Sequence, residues 1–347
     1  MTGDRDGAKS VTAAAGAAAD EAATASAGPR LLVGSPIAAE IRAGLTEDFA
    51  RFRERWGHAP TLAVVLVGAD APSAVYLQQI LRTCQKVGVN GLLVEIGSDV
   101  TSDALCTEIE RLSADPSVTG IIVQMPLPAH IPLRTVIDSN DPAKDIDGIH
   151  PRNAGLLSLG YDGFLPATAQ ASVEILKRSG IEIAGKRVVV VGRSNVVGKP
   201  AALLLIREHG TVTVLHSKTR DLGHHTRDAE ILIVAAGKPD LVTGEMLSPG
   251  VVVVDVGINV VPDGAGGEKL VGDVDFESAK DVVAAITPVP GGVGPLTNAL
   301  LLSHLLKAAT DQAERGEGRR AAAGSAQAGS AQAGPAEAGT AHAGPAQ

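Results

Sequence analysis

Arg187-Val-Val-Val-Val191, Gly192-Arg-Ser-Asn-Val-Val-Gly198-Lys-Pro200 and Ala201-Ala-Leu-Leu-Leu-Ile-Arg-Glu-His209 follow one another without a break. The first stretch is a β-branched run that reads as a strand, and the last has helical character. Between them lies a glycine turn. In that arrangement, free N–H groups at the helix start and the helix dipole hold a pyrophosphate, while glycines let the backbone approach it. The spacing is G-x5-G rather than G-x-G-x-x-G, so the word alone also fits a plain βα turn. Its strand-to-helix context favours a dinucleotide site.

The end of the next strand decides the cofactor. NAD-binding folds usually place a carboxylate there for the ribose 2′-hydroxyl. Here the stretch is His216-Ser217-Lys218-Thr219-Arg220, with hydroxyl and cationic groups and no acid. This suits the 2′-phosphate of NADP, to which Arg193 adds a charge-assisted contact. A solvated basic turn is the plainer alternative.

Apolar runs alternate with helical segments on both sides of this word, the pattern of parallel strands joined by crossover helices. The first half gives strands over 61–67, 92–96 and 120–123, with helices over 73–87 and 102–112. The second half gives strands over 187–191, 211–215, 231–235, 251–256 and 284–286. Runs such as VVVV and ILIVAA imply strands covered on both faces. The fold class is therefore α/β in two domains, the second Rossmann-like with a parallel sheet. Residues 1–29 read as a disordered arm, 30–150 as the first domain and 151–295 as the second. An apolar helix over 296–310 must pack on a neighbour, and 311–347 read as a low-complexity disordered tail, with pentapeptide units at Ser325, Ser330, Pro335 and Thr340.

The 347 residues are 45% apolar and 20% charged, enough for a core in each domain, and carry a formal charge of -9. That balance disfavours nucleic acid and anionic membrane as partners and favours a small molecule. Cys84 and Cys106 lack CxxC spacing, which suits a reducing cytoplasm and neither a disulfide framework nor a thiolate metal site. No apolar run is long enough to span a membrane, and the Ala-rich start lacks a signal-peptide pattern. His224-His225, the one close histidine pair, gives no metal-site spacing. No serine-nucleophile motif can be placed.

Six words occur in order across both halves: PSAVYLQQ at Pro72, GIIVQMPLP at Gly120, KDIDGIHP at Lys144, VVVGRSNVVGKP at Val189, VDVGIN at Val254 and ITPVPGGVGPLT at Ile286. Over about residues 31–309 the chain resembles the bifunctional methylenetetrahydrofolate dehydrogenase/methenyltetrahydrofolate cyclohydrolase family of FolD type. The resemblance implies an N-terminal catalytic domain facing the NADP domain across a cleft, the last helix packed back on the first domain, and a homodimer. It implies NADP-dependent oxidation of 5,10-methylenetetrahydrofolate to the 5,10-methenyl form, then hydrolysis to 10-formyltetrahydrofolate. The family's folate-site residues match Tyr76, Gln124 and Asp147. Its NADP contacts match Gly192, Arg193, Ser194, Ser217 and Ile258.

The residue types agree with that chemistry. Hydride leaves a carbon between two nitrogens whose lone pairs stabilise the cation, so apposition of two rings matters more than a strong base. Asp147 suits paired hydrogen bonds to an aminopyrimidine edge. On its own, KDIDG also fits a turn-capping carboxylate. Gln124 also fits a solvent-facing strand end, and Tyr76 a helix residue with a satisfied hydroxyl.

Two departures stand out. The family's lysine four residues after the tyrosine is here Ile80, which cannot assist water attack on the methenyl carbon. Arg82 lies some 120° around the helix from Tyr76, and Lys86 about 15 Å along its axis. Neither is an obvious replacement. The family's PCTP word is here Pro166-Ala167-Thr168-Ala169. The sequence therefore predicts a dehydrogenase with its hydrolase weakened or absent. Two alternatives remain: a catalytically impaired folate- or NADP-binding paralogue, and another NADP-linked two-domain dehydrogenase. The second would need a proton-accepting lysine that the first domain does not supply.

Overall fold

The computed structural model describes residues 28–68, 71–264 and 266–332. The first half contains β1 (Arg30–Leu31), α1 (Gly34–Trp56), β2 (Thr61–Val67), α2 (Ala71–Val87), β3 (Asn90–Ile96), α3 (Ser102–Ala114), β4 (Gly120–Val123) and α4 (Leu133–Asp138). β2 lies between β3 and β4 in a three-stranded parallel sheet. Its Val64 and Val65 are fully buried, because helices cover both faces. Leu77, Ile80 and Cys84 of α2 pack with Leu45 and Phe49 of α1 on one face, and Leu105 and Ile109 of α3 cover the other.

The second half begins with α5 (Pro151–Leu159) and α6 (Ala167–Arg178), then β5 (Arg187–Val191), α7 (Gly198–Arg207), β6 (Thr211–Leu215), α8 (Leu222–Arg227) and β7 (Ile231–Val234). β8 (Val252–Asp255), the hairpin of β9 (Asn259–Pro262) and β10 (Glu268–Val271), α9 (Phe276–Ala279), β11 (Ala285–Ile286) and α10 (Val293–Gln332) complete it. The strand order β6-β5-β7-β8-β11-β1 is parallel throughout. After β5 the chain moves first to one side and then to the other. The carboxyl ends of β5 and β7 thus form the switch point at which open α/β sheets bind ligands.

Helix α10 joins the two cores. Leu296 and Leu300 are buried against the six-stranded sheet, whereas Leu301 and Leu305, further along, are buried against the three-stranded one.

Three features differ from the sequence expectation. Arg30–Leu31, assigned to the first domain, pairs with β11 as an edge strand of the second sheet. Two residues carry no readable period. Helix α1 has no counterpart in the sequence expectation, and its Ser35, Ala39, Arg42 and Thr46 share one face at helical spacing. Finally, α10 passes the expected end at 310 and runs through the first pentapeptide unit to Gln332. Its Ala, Gln and Glu residues favour helix, and the scattered glycines, each costing about 1 kcal/mol, do not break it. No proline occurs between 311 and 332. The expectations for 1–27 and 333–347 lie outside the described residues.

Candidate active site in the interdomain cleft

The turn after β5 requires its glycines. Gly192 has φ 127°, and a Cβ there would stand 2.1 Å from the Ala235 carbonyl oxygen. A Cβ on Gly198 would stand 2.2 Å from the Gly192 oxygen. The turn is thus folded against β7 and against itself. Ser194 Oγ accepts hydrogen bonds from the N–H groups of Val197 (3.0 Å) and Gly198 (3.3 Å) at the start of α7. Its hydroxyl proton remains available to donate.

β5 and β6 run in register, and Gly192 N–H donates to the Leu215 carbonyl, so residues after 192 and 216 emerge side by side. Arg193, Ser217, Lys218 and Arg220 are exposed there, without ion pairs among the described residues. The nearby carboxylate of Asp221 is engaged at the start of α8, accepting from His224 N–H. A phosphorylated ribose fits this set of cations, whereas a bare 2′-hydroxyl finds no acceptor carboxylate. The steric demand for glycine and the unpaired cations together fit NADP.

A carboxylate pair missing from the sequence expectation shapes the neighbouring loops. Asp273 accepts from Ala236, Gly237 and Lys238 N–H at 2.6–2.9 Å, fixing the turn after β7. Asp255 accepts from Gly257, Asp273 and Val274 N–H, fixing the loop that carries Ile258. Burial pushes the Asp255 carboxyl up to about 6 against these hydrogen bonds. The signal was an acid closing an apolar strand in VDVGIN.

In the other domain, Gln124 N–H donates to the Val65 carbonyl, extending the β4 ladder toward α2. Ile121 bridges in parallel to Asp145, which brings Asp147 alongside the end of β4. Asp145 is held by His150 N–H and the Asn153 amide, both at 2.8 Å. Asp147 has no side-chain hydrogen bond among the described residues and opens onto a cavity of about 10 Å³. Burial, and then the neighbouring Asp145 carboxylate, raise its carboxyl to about 7. Tyr76 lies on α2, but its side chain is outside the described residues.

The large cleft encloses about 990 Å³ between α1 and α2 on one side and Gly257, Ile258 and the 288–295 loop on the other. Gly34, at the start of α1, lies so close to this loop that a Cβ would meet the Gly292 carbonyl oxygen. Of the expected site residues described, Ile258 lines this cleft and is 65% exposed. Gln124 and Asp147 do not. The Gln124 amide folds back to donate to the Met125 carbonyl at 2.9 Å.

Ile80 is 7% exposed and packs with Phe49, Leu77, Cys84 and Leu305. Position 80, where the family resemblance implies a lysine, is thus part of the hydrophobic core. Lys144 is no substitute: its ammonium caps α3 through the Asp115 carbonyl at 2.6 Å.

A Rossmann-like sheet with a glycine phosphate turn, facing a second α/β domain across a cleft, defines a two-domain NAD(P)-linked oxidoreductase. Residues 32–147 match the tetrahydrofolate dehydrogenase/cyclohydrolase catalytic domain, and residues 166–313 the NAD(P)-binding domain of the same family. The bifunctional protein FolD of Moorella thermoacetica is 48% identical over 280 residues, covering 81% of this chain and 98% of that protein. Its counterpart from Aromatoleum aromaticum is 45% identical, covering 83% and 99%. The bifunctional FolD crystal structure from Campylobacter jejuni superposes with TM-score 0.77 at 42% identity, covering 81% and 99%. The Trypanosoma brucei FolD complex with NADP cofactor and inhibitor gives 0.79 at 38% identity, covering 82% and 98%. The chain belongs to the tetrahydrofolate dehydrogenase/cyclohydrolase family.

Proposed function

We propose that this protein oxidises 5,10-methylenetetrahydrofolate to 5,10-methenyltetrahydrofolate with NADP, and that its hydrolysis of the product to 10-formyltetrahydrofolate is weak or absent. The observation that carries this reading is the pairing of an intact phosphate turn with an Ile80 buried in the core.

NADP, when bound, supplies the hydride-accepting nicotinamide. The protein's part is to hold the two rings together. The turn from Gly192 through Ser194 takes the pyrophosphate, Arg193 and Ser217 the 2′-phosphate, and Ile258 lies against the nicotinamide side of the cleft. Asp147 receives the amino edge of the pterin, Gln124 closes the sheet end beside it, and the family resemblance assigns Tyr76 to the folate site. The oxidation needs no strong base, because the folate nitrogens stabilise the cation as it forms.

Hydrolysis makes a further demand. Water must be directed at the methenyl carbon and its proton removed, and this calls for a polar or cationic group at the reacting face. An isoleucine sealed among Phe49 and Leu305 contributes none. A homodimer is what the family resemblance implies, and the two free cysteines support a cytoplasmic setting.

The test is to supply 5,10-methylenetetrahydrofolate with NADP or NAD and follow reduced cofactor and methenyl product together. NADPH formation with a marked preference over NAD is expected; ligand binding without turnover would instead support a binding paralogue. Ile80→Lys is expected to gain methenyl hydrolysis.

A further inference from the structure

The Asp147 carboxyl has no side-chain hydrogen bond among the described residues, so its direction is set by the backbone that carries it. Two peptide planes flank its Cα. The carbonyl of the first, Ile146, accepts from Nδ1 of His304 at 2.7 Å, and the carbonyl of the second, Asp147 itself, accepts from the Ala167 N–H at 3.3 Å. The residue after it, Gly148, has φ 71°, and a Cβ there would collide with the Leu165 carbonyl. Upstream, the Lys144 carbonyl is tied to β4 through the Ile121 N–H at 2.8 Å. Of the two bonds that flank Asp147, the shorter is made by a side chain from α10.

His304 is itself held. It is 7% exposed, its Nε2 stands 2.8 Å from the Gln170 side-chain amide, and its ring centroid lies 5.9 Å from that of Phe164. Gln170 and Ala167 both belong to the first turn of α6, where the sequence reads PATA in place of PCTP. Two turns before His304 on the same face of α10, Thr297 lines the large cleft beside Gly294 and Pro295. One continuous helix therefore carries part of the cofactor-side wall and, further along, the tether of the Asp147 loop. Ring apposition is sensitive to such placement, a shift of about 1 Å costing about 10²-fold in rate.

We propose that His304 is a positioning residue for the folate oxidation: its hydrogen bond to the Ile146 carbonyl fixes the direction of the Asp147 carboxyl relative to the cofactor wall of the cleft, and Gln170 locks the imidazole in the orientation that makes this bond. The histidine touches neither substrate nor cofactor and moves no proton. This role rests on the reading of Asp147 as the group that receives the pterin.

Two substitutions of similar size separate the two ends of the ring. An asparagine amide takes the place of Nδ1 and keeps the donor to Ile146, whereas a glutamine amide reaches the place of Nε2 and loses it. The full chain is assayed for NADPH formation from 5,10-methylenetetrahydrofolate as wild type, His304→Asn, His304→Gln, Asp147→Asn and the double variant Asp147→Asn/His304→Gln. His304→Gln is expected to lower kcat/KM for the folate about tenfold, with kcat reduced and the KM for NADP unchanged, while His304→Asn stays within about twofold of wild type. In the Asp147→Asn background His304→Gln should cost less than about twofold, because the group it acts through is already gone. A full loss in that background, an equal loss in both single His304 variants, or wild-type kinetics in His304→Gln would overturn the proposal. Should His304→Gln fail to fold, Gln170→Leu, at a half-buried position, probes the same network: a loss of about threefold in kcat/KM for the folate is expected, and unchanged kinetics would overturn the proposal. If the wild type forms no NADPH, the dehydrogenase reading falls instead. Calorimetric titration of the wild type and His304→Gln with folic acid then decides, weaker binding by the variant supporting the positioning role and equal affinities overturning it.

Discussion

Nδ1 of His304 stands 2.7 Å from the carbonyl oxygen of Ile146, the residue immediately before Asp147. A carbonyl only accepts, so Nδ1 carries the proton. The other ring nitrogen lies 2.8 Å from Gln170 Oε1; in the neutral ring it only accepts, so the Gln170 amide is assigned turned over, with its NH₂ in that place. Burial lowers the His304 pKa to about 4, which keeps the ring neutral. One imidazole thus ties α10 to the loop bearing Asp147 and to α6.

Replacing His304 with alanine leaves the Ile146 carbonyl unpaired and opens a cavity, at a cost of about 2–4 kcal/mol. There is also a pH signature. Between about pH 4 and the ordinary histidine value of 6.5, the unfolded chain binds a proton here that the folded chain does not. Stability from this residue is therefore present above that window and falls as the pH drops through it, by roughly 3 kcal/mol at most. Thermal unfolding from pH 7.5 to 4.5 should show the wild type losing more stability than His304→Asn. Parallel curves would contradict the assignment.

Asp147 should titrate in the free enzyme near pH 7. Its pKa is raised, so the proton stays on through the acid range and leaves as pH rises. If the carboxylate is the form that receives the pterin, kcat/KM should climb from pH 6 to 8 and level off above. Asp147→Asn should flatten this rise and lower kcat/KM by about 10²-fold, from the loss of two charge-assisted hydrogen bonds.

Gly192→Ala places a methyl group 2.1 Å from the Ala235 oxygen at a positive φ. A cost of about 2–4 kcal/mol is expected, with a raised KM for NADP because the turn must shift. Gly180, at φ 71° with open space around its Cβ, supplies the control for backbone strain without collision. Calorimetric unfolding of both variants separates the two effects.

Arg193→Ala and Lys218→Ala should each raise the KM for NADP by about tenfold and leave that for NAD nearly unchanged, because their proposed partner is the 2′-phosphate alone. Equal effects on both cofactors would place the side chains elsewhere.

Much of this was legible in the sequence. The strands over 61–67, 187–191 and 211–215 declare themselves because they are short, β-branched and bounded by turn residues. The glycine turn is equally plain. What escaped reading depends on distant partners. Arg30–Leu31 is a strand only because β11 offers it an edge, and Asp273 organises residues more than thirty positions away. The burial of Ile80 also escaped: isoleucine at that position announces the loss of a cation, but not that the side chain has joined the core around Phe49 and Leu305. In the sequence Arg82 and Lys86 are poor replacements for the lysine that the resemblance implies, and that they line the cleft together with Arg42 depends on the placement of α1.

The most direct test uses 5,10-methenyltetrahydrofolate alone. Its hydrolysis is followed with and without the wild-type protein, after the same preparation has been shown to form NADPH from the methylene substrate. Decay at the rate of the buffer blank is the predicted result. A rate that rises in proportion to protein concentration would contradict the loss of the cyclohydrolase and show that another group serves where Ile80 cannot.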